Sequence, residues 1–310
     1  MIETRALKGL APVVVTPVHA DGAIDVDGLK RLINFLVEKD VGGFWTLGTG
    51  SEDMDLTFEK RLTVARAVCE ANAGRKPLVL GSGFFALEDM LNFMDATKGL
   101  QFDAYHVMPY QPIMSLNRID WMYRRLADHA SKPLWLYTSA NWCQHITPEL
   151  VAGLKDHPNI TGVKFSSSNT VDQLKVLGLM SPGFQVITAV ANQLYATLAM
   201  GSPCTTSSLG SALPEAITEV IRLYQAGDHK QALARHRNLM KFLGMMPKTS
   251  KKDNFLTGAE EKYMLSLRGI CEPHMTGYYR PLDEAEQAQM RKALDECGYM
   301  HFIKDSKRAA

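Results

Sequence analysis

The most chemically suggestive residue in this chain is a lysine inside an apolar run. Ile160-Thr161-Gly162-Val163-Lys164-Phe165-Ser166-Ser167 has strand propensity and is bounded by Pro158-Asn159 and Ser168-Asn169. Little polar alternation interrupts it, the pattern of a strand covered on both faces. At a period of two, Gly162, Lys164 and Ser166 share one face, and Val163 and Phe165 share the other. Burial disfavours an ammonium, and a neutral amine is the nucleophile that attacks a carbonyl to form a Schiff base. Taken alone, the run reads first as a lysine at a strand end that reaches solvent or a carboxylate. The elements around it decide between the two.

Strand and helix patterns alternate along most of the chain. Strand-like runs cover Ala11 to Val18, Gly42 to Gly48, Leu78 to Gly81, Ala104 to Met108, Leu134 to Tyr137, the Lys164 run, Gln185 to Val190 and Cys204 to Ser208. Between them lie helical patterns, the first opening at Asp25 with Leu29, Leu32, Ile33 and Leu36 on one stripe. Strands separated by helices point to βαβ units and a parallel sheet, and eight is the number that closes. The competing doubly wound sheet lacks its signature, because neither Gly48-Thr49-Gly50 nor Gly81-Ser82-Gly83 extends to G-x-G-x-x-G. The expected fold is α/β, a (β/α)8 TIM barrel over residues 1–226, with a C-terminal helical extension, 227–310, packed on it. Lys248 to Asp253 reads as a polar loop inside that extension, and the tail from Lys304 as a solvated end.

Composition sets the outer bounds. The chain has 310 residues, 46% hydrophobic and 22% charged, with a formal net charge of +1. That is an ordinary globular balance, with no basic patch for nucleic acid and no apolar run long enough for a membrane span. Five scattered cysteines without a C-x-x-C suit a reduced, cytoplasmic protein.

In such a barrel the site lies at the C-terminal ends of the strands. Those ends carry Thr16, Thr49 with Gly50 and Ser51, Ser82, Tyr110, Tyr137, Lys164, and Thr206 with Ser207. No carboxylate pair of the kind glycoside chemistry needs is among them, and no cluster with metal-ligand spacing. His229 and His236 share a helix face and read as solvated, and Cys271 with His274 is one C-x-x-H without a second pair. A lysine, two tyrosines and hydroxyl-glycine turns suit imine chemistry on a small 2-oxo acid, with no metal and no cofactor beyond the covalent imine on Lys164.

From about Leu7 to Gly298 the chain resembles the dihydrodipicolinate synthase/N-acetylneuraminate lyase superfamily of Schiff-base aldolases and lyases. The resemblance is carried by Gly9 with Thr16-Pro17, Asp21 to Asp25, Gly48 to Glu52 with Leu56-Thr57, and Met108-Pro109-Tyr110. It continues through Leu136-Tyr137, Gly162-Val163-Lys164, Gly201 before Thr206-Ser207, and Arg280-Pro281-Leu282. It implies that Lys164 forms the imine, that Tyr137 is the general acid/base, and that Thr49 hydrogen-bonds Tyr137. The backbone amides near residues 49–51 would hold the substrate carboxylate, Glu52 would be mainly structural, and the assembly would be a homo-oligomer, a dimer or tetramer.

The departures bear on the substrate. Gly50 stands where the family has a second hydroxyl, with Ser51 next to it. Tyr137-Thr138-Ser139-Ala140 replaces the usual Tyr-Asn-x-Pro. Trp142 stands at the place of an arginine that grips a second carboxylate, and Gln111 at that of a relay tyrosine when Tyr110 is aligned with the first of the pair. Thr206 replaces a usual isoleucine and Ser211 a usual asparagine. These changes argue for a lyase acting on pyruvate or another 2-oxo acid but not for dihydrodipicolinate synthesis. A dehydratase or deaminase using the same lysine, and a non-catalytic ligand-binding barrel, are the alternatives.

Overall fold

A computed structural model describes residues 5–139, 143–189, 191–254 and 258–306 of the chain. Eight parallel strands are hydrogen-bonded in one sheet: β1 Gly9–Pro12, β2 Phe44–Thr46, β3 Leu78–Gly81, β4 Ala104–Val107, β5 Leu134–Ser139, β6 Ile160–Ser166, β7 Gln185–Thr188 and β8 Cys204–Ser207. Each strand neighbours the next, β8 returns to β1, and helices fill the connections. Between β1 and β2 the seam is held by a Val13–Trp45 bridge and by Val14 N–H donating to Trp45 O at 2.9 Å, so the barrel is nearly closed.

Alternation along the strands sorts side chains into two layers. In β5, Leu134 and Leu136 join the outer core under the helices, whereas Trp135 and Tyr137 join a separate cluster with Trp45, Val79, Ala104 and Ile187. That second cluster holds no residue of the surrounding helices and fills the barrel interior. The first apolar run is longer than its strand: the ladder covers Gly9–Pro12, while Val14, Val15 and Val18 are buried beyond it. Burial at a barrel end keeps the sequence apolar past the ladder, where only isolated bridges such as Val13–Trp45 and Val18–Ile24 continue the pairing.

The extension is helical and packs on the barrel. His229–Met245 lies against Pro214–Gln225, and Ala259–Leu267 packs on the short helix Leu209–Ala212 after β8. Within the expected polar loop, Thr249–Lys252 forms one helical turn with Thr249 buried. The helix Met300–Ser306 is anchored by buried Ile303, and Lys304, where the expected solvated end begins, is exposed. His236 is buried rather than solvated, because its helix turns that side inward, and burial lowers its pKa.

Candidate active site

In β6, Val163 and Phe165 point into the outer core, and Lys164 takes the inward face between its register partners Tyr137 of β5 and Ile187 of β7. One inward position earlier stands Gly162, where a Cβ would lie 2.6 Å from the indole of Trp135. The missing side chain lets that indole fill the interior. Trp45 meets Trp135 edge-on and stacks on His106 with centroids 4.1 Å apart. The Lys164 Nζ lies 4.2 Å from the Tyr137 ring centroid and 5.0 Å from that of Trp45. Aromatic faces, rather than a carboxylate, surround the amine. Burial therefore pushes its pKa down to about 7, against the weaker pull of Asp53. His106 is held neutral by the same burial, with Nε2 2.8 Å from Thr46 O.

Tyr137 is buried and 3.0 Å from the Thr49 hydroxyl. Burial raises its phenol pKa and the Thr49 contact opposes that, so at neutral pH it keeps its proton. Thr49 opens a tight turn, Thr49–Ser51, whose own bonds use the Ser51 and Glu52 amides, donated to Gly48 O and Thr49 O. The amides of Thr49 and Gly50 are the first donors of the turn and lie outside those bonds. Leu47 enters the turn at φ 52° and Glu52 leaves it at φ 58°, both left-handed. Gly81 of β3 makes room, since a Cβ there would stand 1.9 Å from Leu47 O. The Glu52 carboxylate is fully buried, pairs with the Lys262 amine at 2.6 Å and accepts from Thr276 N–H at 2.9 Å. The turn is thereby tied to the extension.

A cavity of about 510 Å3 opens at this end of the barrel. Of the residues singled out from sequence, Lys164, Tyr137, Thr49, Gly50, Thr206 and Ser207 line it together. Ser51 does not; its hydroxyl turns to Val14 O at 2.6 Å and braces the turn against β1's continuation. Tyr110 lines a different cavity, of about 390 Å3, and donates to Asp53 Oδ2 at 2.5 Å. Gln111 borders that second cavity too, bonded to Phe85 O. Ser211 is buried and bonded to Val13 O at 2.5 Å. Trp142 lies outside the described residues.

Several residues were missed in the sequence reading. Asp53 is wholly buried, its carboxyl pKa raised by burial and opposed by Arg61 at 3.8 Å; an acid directly after the 48–52 turn was its one signal. Ser166 shares the Lys164 face and lines the cavity with Ser139, which period-two alternation allowed one to expect. Glu260 and Glu261 of the extension also line it, and nothing in the local sequence pointed there. Among the described residues no group of three histidines, cysteines or acids is placed to hold a metal ion, and Cys271 is an unpaired buried thiol.

Eight parallel strands with helices between them make this a (β/α)8 barrel, with a buried lysine on the sixth strand, a tyrosine beside it on the fifth and a hydroxyl-glycine turn after the second. The chain belongs to the dihydrodipicolinate synthetase family, whose model matches residues 6–297. It is 29% identical over 300 residues to the 4-hydroxy-tetrahydrodipicolinate synthase of Methanosphaerula palustris, covering 93% of this chain and 97% of that one. It is 27% identical over 307 residues to the putative 2-dehydro-3-deoxy-D-gluconate aldolase YagE of Escherichia coli K12, covering 96% and 99%. The crystal structure of YagE in complex with pyruvate superposes with a TM-score of 0.86 at 25% identity over 94% of this chain and 99% of that one. N-acetylneuraminate lyase from Mycoplasma synoviae matches in fold, with a TM-score of 0.82 at 24% identity over 94% and 98%.

Proposed function

We propose that this protein is a lyase or aldolase that forms a Schiff base between Lys164 and pyruvate or a related 2-oxo acid. The observation that carries the reading is a buried amine beside Tyr137, at the floor of a cavity and without an ion pair among the described residues. The neutral amine adds to the 2-oxo carbon, and Tyr137 gives the oxygen its proton. Loss of water then leaves an iminium that accepts the electron pair of the bond broken at the neighbouring carbon. In the synthetic direction that pair returns to an aldehyde carbon. Thr49, 3.0 Å from the phenol, passes the proton onward, and the amides of Thr49 and Gly50 hold the carboxylate. Thr206 and Ser207 face the rest of the substrate. The protonated imine is itself the electron sink, so the reading requires neither a metal nor pyridoxal phosphate.

Pyruvate as the oxo acid is supported by the YagE complex. Gly50, Gln111 and Trp142 argue that aspartate semialdehyde is not the partner, since no arginine at position 142 grips its carboxylate. We read the protein as cytoplasmic, consistent with five unpaired cysteines, and no helix among the described residues is long and apolar enough to cross a membrane. A homo-oligomer is supported by exposed Phe85 and Trp121 at the second cavity, by exposed Ile113, and by a relative described as the first monomeric variant of its kind. The test is borohydride reduction with a panel of 2-oxo acids, read by peptide mass. The expected result is a reduced adduct on the Lys164 peptide with pyruvate. An adduct on another lysine would overturn the assignment of Lys164, and efficient dihydrodipicolinate synthesis would overturn the exclusion of aspartate semialdehyde.

A further inference from the structure

Lys164 forms the floor of the main cavity, but part of its wall comes from a different region, the helix Ala259–Leu267 of the extension. Glu260 and Glu261 stand side by side there, 3% and 4% exposed. Their partners are neutral: Ser208 Oγ donates to Glu261 at 2.7 Å, and Ser250 donates its amide to Glu260 at 3.2 Å and its hydroxyl as well. Neither acid makes an ion pair among the described residues, and the neighbouring Lys262 amine is turned to Glu52. Lys248 and Lys251 border the cavity but are exposed, and Lys248 Nζ is given to Leu243 O. A second observation comes from β8. Thr206 lines the same cavity, is 1% exposed, and its hydroxyl has no partner among the described residues.

We propose that Glu260 and Glu261 select 2-oxo acids whose far end carries an organic cation, a reading that rests on the imine chemistry proposed for Lys164. Adjacent buried carboxylates repel each other, and burial together with Glu260 pushes Glu261 up to about 7. A hydroxylated ligand would add donors and leave that repulsion standing. A cation offsets it, and beside carboxylates that are themselves buried the attraction is less screened than at an open surface. Thr206, at the end of β8, lines the same cavity, and its buried hydroxyl is left without a partner among the described residues.

Three acids test this: the 2-oxo acid of trimethyllysine, which cannot cyclise, its neutral tert-butyl isostere, and 2-oxoadipate. With the wild-type protein, borohydride trapping of the cationic acid should reach half-maximum at a concentration about tenfold or more below that of the neutral one. In Glu260→Gln/Glu261→Gln the ratio should collapse toward one, with Glu261→Gln alone as the fallback if circular dichroism shows the double variant unfolded. Equal trapping of cationic and neutral acids, a preference for 2-oxoadipate, or a preference that survives in the variant overturns the proposal. If pyruvate also fails to trap, the imine reading falls. Calorimetric titration of the same three acids, which needs no imine, still decides the acidic wall.

Discussion

Two buried lysines stand at this end of the molecule, and their surroundings differ in one respect. Lys262 is fully buried, pairs with Glu52 at 2.6 Å and donates to His274 O at 2.9 Å. Lys164 is 4% exposed and meets aromatic faces, with no carboxylate in contact. Burial alone therefore does not make a reactive lysine. In the first case burial is compensated, and the residue is a strut between the turn after β2 and the extension. In the second the amine is left without a partner charge, its pKa pushed down to about 7, and it lines a cavity of about 510 Å3. The cost of burying a charge is met by a partner at one site and avoided by deprotonation at the other.

Substitutions at the two sites should fail in different ways. Lys164→Met should lower kcat/KM by roughly 10⁴-fold or more, the order seen when a covalent nucleophile is removed, and should abolish borohydride labelling. Retained turnover would remove the distinction between the lysines. Glu52→Gln should leave Lys262 buried and uncompensated and cost about 3–5 kcal/mol, read as a shifted urea midpoint. A loss below about 1 kcal/mol would mean that the strut is not one.

Lys164→Met should also stabilise the protein, and the pH dependence fixes the sign. An unfolded lysine titrates near 10.5 and folded Lys164 at about 7, so between those values the unfolded chain holds the extra proton. Across that window the wild-type protein gains stability from this group as pH rises. Below pH 7 both states are protonated, and the buried charge costs its full amount. The variant's advantage should be on the order of 3 kcal/mol at pH 6 and fade toward pH 10.5, measured by urea melts at several pH values. An advantage that grows with pH would contradict a depressed Lys164 pKa. The smaller effects follow. Thr49→Val removes the 3.0 Å contact to Tyr137 and should slow turnover by about 1–3 kcal/mol of barrier, in kcat more than KM. Exhaustive chelation should leave turnover unchanged; loss restored by zinc would reopen the Cys271 and His274 pair.

Legibility followed the range of the forces. The eight strands were readable because inward and outward burial imprint apolar periodicity on each segment, and Lys164 stood out because a lysine breaks that pattern. Tyr137, Thr49 and Gly50 were placed by position at strand ends and by their resemblance to the family. Tyr110 was placed by the same logic and went elsewhere, because the buried carboxylate of Asp53 drew its hydroxyl away from the cavity. Ser51 likewise spent its hydroxyl on a backbone carbonyl.

What the amino-acid sequence determined by itself was the barrel, the inward lysine and the glycine-hydroxyl turn, since each follows from local periodicity and local backbone freedom. Only the tertiary structure decided which buried lysine has a carboxylate and which has none. It alone brought Glu260 and Glu261 into the cavity that holds Lys164, nearly a hundred residues earlier in the chain. The physical reason is that pairing and desolvation depend on distance in space. A charge's partner comes from whichever segment the fold brings within a few ångströms, and no local pattern records which one.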